Sequence, residues 1–202
     1  MAYPTPASSS TQTPCEIEEI EMENQRSSDG ASSSSTVAVD KYYVFINHRG
    51  EVKKNFASRL YRALLSRGLK PFLDQQDLQE GLPFPSQLEA VIRNASVHVA
   101  VFSPKYAESR WCLDELLHMR QSGAPIIPVF YHINPTDLRR IAHNKTEGYG
   151  RSLHQLELKT TLDPRTQEEK LRYDPATIQK WRDALSFVAG ISGFDLNGKF
   201  NG

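Results

Sequence analysis

Short apolar runs of β-forming residues alternate along most of this chain with segments of helical spacing, and that alternation limits what it can fold into. The runs are Tyr42–Asn47 (YYVFIN), Pro71–Leu73 (PFL), Val97–Phe102 (VHVAVF) and Ile126–Tyr131 (IIPVFY). Between them, Phe56, Leu60, Leu64 and Leu65, then Leu88, Val91 and Ile92, then Leu113, Leu116 and Leu117 recur at helical spacing. A last amphipathic helix from about Ala176 carries Ile178, Trp181, Leu185 and Val188 on one face. Arg67-Gly68 ends the first helix, and Ser109 is placed to cap the third. Strands this apolar are buried on both sides, so the expected architecture is a parallel sheet with helices on both faces. Four strands are placed directly. A fifth is sought near Leu171–Tyr173, within a stretch, residues 133–175, that otherwise reads as irregular and polar. Pro128 inside the fourth run marks an edge or a bulge. Asp74 to Pro85 reads as a polar loop.

Residues 1–40 have a different composition. They are rich in Ser, Thr and Glu and poor in large apolar residues, so burial cannot offset the entropy of ordering them. They read as a disordered acidic tail, in which Ile17, Ile20 and Met22 among the glutamates could form a short helix on a partner. The domain begins at 41. A formal net charge of zero hides an asymmetry. The tail holds seven acids and one base, which leaves 17 acids and 23 bases in residues 41–202, or +6. That surplus favours anionic ligands such as phosphates and gives no specific argument for nucleic acid. With Cys15 in the tail and Cys112 in the domain, a structural disulfide is not expected, which fits a reducing compartment, cytoplasm or nucleus. No secretory signal and no stretch of membrane-spanning length is visible.

In open α/β sheets ligands bind beyond the carboxyl ends of the strands, where the strand order reverses. For a flavodoxin-like open sheet of about five strands, that point lies between the first and third strands. The first runs into Asn47-His48-Arg49-Gly50. The third ends at Ser103 and leads to Ser109-Arg110-Trp111-Cys112-Leu113-Asp114-Glu115. A cationic turn should therefore face an aromatic residue and an acid. Trp111 and Glu115, four residues apart, share one helical face. The plainer reading makes Trp111 a core aromatic and Glu115 a solvated helix acid. Asp114 is the rival acid, four residues before His118 and able to pair with it on the surface.

Five ordered segments together resemble a plant TIR (Toll/interleukin-1 receptor-like) domain. They are Tyr43–Glu51, Phe72-Leu73-Asp74 with Leu78–Gly81, Val101–Leu116, Pro128–Arg139 and Trp181–Leu185. The resemblance implies a flavodoxin-like fold and, for many plant members, cleavage of NAD+ between nicotinamide and ribose in immune signalling and cell death. It implies Glu115 as the catalytic residue, with Arg49, Gly50, Lys54, Gly81 and Trp111 meeting the substrate. NAD+ is then substrate, and no cofactor is required. Products in the family include ADP-ribose, cyclic ADP-ribose variants and ADP-ribosylated nucleotides, and activity depends on association with itself or other TIR proteins. The chemistry is consistent. Nicotinamide in NAD+ leaves as a neutral base and needs no general acid, so one carboxylate beside the oxocarbenium-like ribose suffices, where ordinary glycosidases use two.

Departures from the family pattern lie on the cationic side. Asn47-His48 stands where the family has Ser-Phe. Val52-Lys53-Lys54 replaces Asp-Thr-Arg, keeping charge at Lys54 without the fork geometry of arginine. Ser58-Arg59 replaces a Ser-His of one self-association face. These changes motivate the alternative of a non-catalytic adaptor that binds other TIR proteins. Gly193 to Lys199 has P-loop spacing, but Phe200 occupies the Mg2+-ligating position and no strand is expected before it, so it is set aside. The chain is expected to be of the TIR-only type. No histidine pair has metal-ligand spacing, and no metal is expected. Cys112 reads as a packed small residue.

Overall fold

The computed structural model describes residues 43–73, 86–141 and 147–197. The acidic tail, the loop from Asp74 to Pro85 and Gly81 within it lie outside the described residues.

Strand β1 (Val44–His48) leads through a 3-10 turn (Gly50–Val52) and a π-helical turn (Lys53–Ala57) into α1 (Ser58–Leu65), and β2 (Pro71–Leu73) follows. Next come α2 (Ser86–Asn94), β3 (Val97–Phe102), a 3-10 turn (Tyr106–Glu108), α3 (Arg110–Ser122) and β4 (Ile126–Phe130). The remainder is α4 (Pro135–Arg139), α5 (Gly148–Leu158), β5 (Thr160–Leu162), β6 (Glu169–Leu171), α6 (Pro175–Ala189) and β7 (Phe194–Asp195). The main sheet has the order β2-β1-β3-β4-β7, all parallel. From β1 the chain steps first to β2 on one side and then to β3 on the other. The strand order therefore reverses at the β1–β3 pair, where Asn47 lies beside Ala100 and His48 beside Val101.

The period-two alternation of the strands divides the interior. Phe45, Ala100, Phe102, Ile126 and Phe130 join a large apolar cluster with α2, α3, α5 and α6. Val44, Ile46, Val99, Val101 and Val129 join a smaller one closed by Val52, Ala57, Phe56, Leu60 and Leu64. Leu65, expected on the buried face of α1, is exposed instead.

Three expectations are corrected. The fifth strand of the sheet is not near Leu171 but at Phe194–Asp195, where Val129 pairs with Phe194 and Phe130 with Asp195. Two residues of the segment of P-loop spacing, Phe194 and Asp195, thus form a strand themselves. Leu171 belongs to a separate antiparallel hairpin of β5 and β6. Residues 133–175 are also far from irregular. Asn134 caps α4 in a reciprocal box with Asp137, and α5 buries Tyr149, Leu153 and Leu156 at helical spacing.

Pro128 is explained by the shortness of β7. Tyr131 N–H donates to Phe102 on one side, while Phe130 C=O accepts from Leu196 on the other. Alternation turns the missing N–H of Pro128 away from β3, toward a side that β7 pairs only at Val129 and Phe130.

Candidate functional site

Asn47 has the same parity in β1 as Phe45, so its side chain faces the α3 side of the sheet, and it is fully buried. Strand alternation places a polar residue where an apolar one would continue the core. The first turns of α3 receive it. Ser109 fixes where that helix starts, its hydroxyl accepting from Cys112 N–H at 3.4 Å. Asn47 Nδ2 donates to Glu115 Oε2 at 2.7 Å and lies 3.4 Å from the Cys112 carbonyl oxygen. Both partners only accept, so the amide orientation is fixed and Oδ1 points the other way. There it accepts from the Tyr106 hydroxyl, which also lies 3.1 Å from the Cys112 carbonyl. Glu115 itself is buried, 5% exposed.

Tyr106 is placed by packing. Its ring lies 4.7 Å from that of Phe102 and stacks on Tyr149 at 6.2 Å, and Tyr149 O–H donates to Ser103 C=O at 2.5 Å. Burial, followed by the nearby Cys112, Glu115 and Tyr149, raises the Tyr106 phenol well above its usual range, which keeps it a donor. Burial and then the Glu115 charge push the Cys112 thiol up to about 12. Cys112 is therefore an inert packed residue whose Sγ–H points to His48 C=O at 3.4 Å. The His48 ring is held down at about 4, chiefly by burial and secondly by Lys53, so it is neutral near pH 7.

On the cationic side, Arg49 is half-buried at the start of the 3-10 turn, and its charge is felt at Cys112, where it lowers the thiol. Arg49 and Glu115 thus flank one edge of the sheet at the strand-order reversal. Gly50 is exposed and a Cβ there would meet open space, so local sterics do not require glycine. Lys54 is exposed on the π-helical turn. Trp111 is buried, 8% exposed, outside both apolar clusters, with the Arg110 guanidinium 4.5 Å above its ring. The ring thus has the burial of a core aromatic and a polar cover.

Asp114, the rival acid, turns elsewhere. It accepts from Arg110 Nε at 3.1 Å and from Trp181 Nε1 at 2.8 Å, so it ties α3 to α6. The surface pair with His118 that the spacing allows is not formed. His118 Nδ1 lies 3.9 Å from Glu89. Two groups were missed from the sequence. Tyr106 gave no signal beyond its place after β3. Glu51 accepts from Ser103 Oγ at 2.5 Å and from Lys105 N–H at 3.2 Å, joining the loops after β1 and β3. Asn47 could have been found, as the polar residue on the buried parity of an apolar strand.

The family model described as TIR domain matches residues 41–199. The chain is 33% identical over 167 residues to TMV resistance protein N of Nicotiana glutinosa, covering 80% of this chain and 13% of that protein. It is 43% identical over 99 residues to "Probable 2' cyclic ADP-D-ribose synthase BdTIR" of Brachypodium distachyon, covering 48% of this chain and 44% of that one. It thus spans well under two thirds of the length of these relatives. Among solved structures, the TIR domains of the activated Roq1 resistosome superpose with a TM-score of 0.64 at 32% identity, covering 80% of this chain and 91% of that one. Sequence motifs, family model and superposed fold agree on one assignment, and the chain belongs to the TIR domain family.

Proposed function

We propose that this protein cleaves NAD+ at the bond between nicotinamide and ribose, with Glu115 as the catalytic group, and so forms ADP-ribose-type signalling nucleotides in plant immunity and cell death. The observation that carries the reading is a glutamate buried where the strand order reverses and held by an amide donor at 2.7 Å. The similarity to a protein named as a probable 2' cyclic ADP-D-ribose synthase supports an ADP-ribose-type product.

The C–N bond breaks heterolytically. Its electron pair goes to the nicotinamide nitrogen, which leaves neutral. Ribose C1′ gains oxocarbenium character, and the Glu115 carboxylate stabilises that charge. Water or a hydroxyl of the same nucleotide then forms the new bond to C1′, in either case releasing its proton to solvent, and gives the hydrolysed or the cyclic product. Arg49 pairs with phosphate, Trp111 supplies an aromatic surface, and Gly50, Lys54 and Gly81 complete the contacts. Assembly of several copies, in the cytoplasm, is part of this reading. Its support is the likeness to TIR domains seen in an activated resistosome.

The test is nicotinamide release by the purified full chain at high concentration or with a crowding agent. Glu115→Ala should lower the rate by roughly 100-fold or more, and unchanged turnover would sink the mechanism. A second reading, a non-catalytic adaptor, has in its favour the exposed side chains Leu158, Leu162, Leu171 and Phe187. No release by wild type even when assembled, together with binding to a TIR partner, would establish it.

A further inference from the structure

Resting on that reading of Glu115, we infer that Asn47 is a positioning residue for the catalytic carboxylate and that Tyr106 acts through it. A glutamate side chain has three rotatable bonds, and a carboxylate in the second turn of α3 could adopt several rotamers about its helix. Asn47 removes that freedom. Its two N–H groups are directed at Glu115 Oε2, 2.7 Å away, and at the Cys112 carbonyl, 3.4 Å away, so one side chain on β1 references the carboxylate to the backbone of α3. The remaining atom, Oδ1, accepts from Tyr106, whose ring is locked between Phe102 and Tyr149. Asn47, Tyr106 and Glu115 are all buried, so water does not readily replace any of these bonds.

Asn47 was singled out in the sequence as a departure on the cationic side of the edge. In the fold it serves the acid side. A residue that only orients Glu115 should affect the chemical step and leave substrate affinity alone. A misplacement near 1 Å costs on the order of 100-fold in rate.

The experiment is steady-state kinetics of nicotinamide release by the full chain, comparing wild type, Asn47→Ala, Tyr106→Phe, the double variant and Glu115→Gln. Asn47→Ala is expected to lower kcat by about 10- to 100-fold with KM within about 2-fold of wild type. Tyr106→Phe, which removes one oxygen, should give a smaller loss of the same kind. Because Tyr106 acts through Asn47, adding Tyr106→Phe to Asn47→Ala should cost nothing further, whereas two independent packing defects would multiply. If both single variants keep wild-type kcat while Glu115→Gln is inactive, the inference falls and the proposed function stands. If Glu115→Gln is as active as wild type, the proposed function falls. Crystal structures of Asn47→Ala and Tyr106→Phe then judge the positioning role on its own: it survives only if the Glu115 carboxylate leaves its present rotamer. Should Asn47→Ala fail to fold, Tyr106→Phe carries both readouts, and an unshifted carboxylate with unchanged kcat overturns the inference.

Discussion

Asp114 and Glu115 leave α3 about 100° apart around its axis, and that angle separates what they touch. Asp114 faces α6, where it accepts the indole N–H of the fully buried Trp181. Glu115 faces the end of β1. Asp114→Ala leaves the Trp181 indole N–H buried without its acceptor, at a cost of roughly 1–3 kcal/mol. Urea unfolding should show that loss, while nicotinamide release per folded molecule is retained. Glu115→Ala should abolish release, and because it takes the acceptor from the buried Asn47 amide it should also cost some stability. If the Asp114 variant loses activity and keeps its stability, the roles have been exchanged. Spacing alone leaves both acids open. The choice between them depends on which helix face meets β1 and which meets α6.

At the scale of elements, the central strands and the helices with long apolar stripes are legible directly, because continuous apolar runs mark β1 and β3 and helical spacing survives in α2, α3 and α6. What escaped was short or locally capped. β7 has two residues and draws its place in the sheet from a close approach, not from its own composition. A Cβ on Gly193 would lie 2.5 Å from the Pro128 carbonyl oxygen and 2.9 Å from the Phe130 ring. Backbone cannot yield as a flexible side chain can, so Gly193→Ala should detach β7 from β4 and destabilise the fold by roughly 1–3 kcal/mol. Urea denaturation checks this, and amide exchange at Leu196, whose N–H donates to Phe130, should accelerate. α5 escaped because Gly148 and Gly150 sit at its start and its apolar residues are spaced among polar ones, while Tyr149 finds its place through distant partners, the rings of Tyr106 and Phe102 and the Ser103 carbonyl. The candidate site shows the same division. Trp111 and Glu115 come from one helix and were readable together. The bonds from Asn47 to Glu115 and from Tyr106 to Asn47 join residues 68 and 59 apart in the chain, and only the closed sheet brings them into range.

For the molecule as a whole, two histidines, His98 buried and His48 half-buried, set a pH response. His48 at the carboxyl end of β1 and His98 at the start of β3 are both held at about 4 against an ordinary 6.5, each chiefly by burial. Between those values the unfolded chain binds protons that the folded chain refuses, so stability rises with pH through that window and is lost as pH falls from about 6.5 to about 4. His98→Asn, near Ser122 Oγ now 2.8 Å from His98 Nε2, should flatten that slope in urea titrations run across the window. An unchanged slope would mean that His98 is protonated equally in both states.

Glu51 has a consequence at this scale too. One carboxylate oxygen grips both the hydroxyl at the end of β3 and the amide of Lys105, so the two banks of the crevice are moored to each other across the point where the sheet changes direction. Neither loop can drift without towing its opposite number. A molecule arriving at that edge therefore meets two loops already joined to each other.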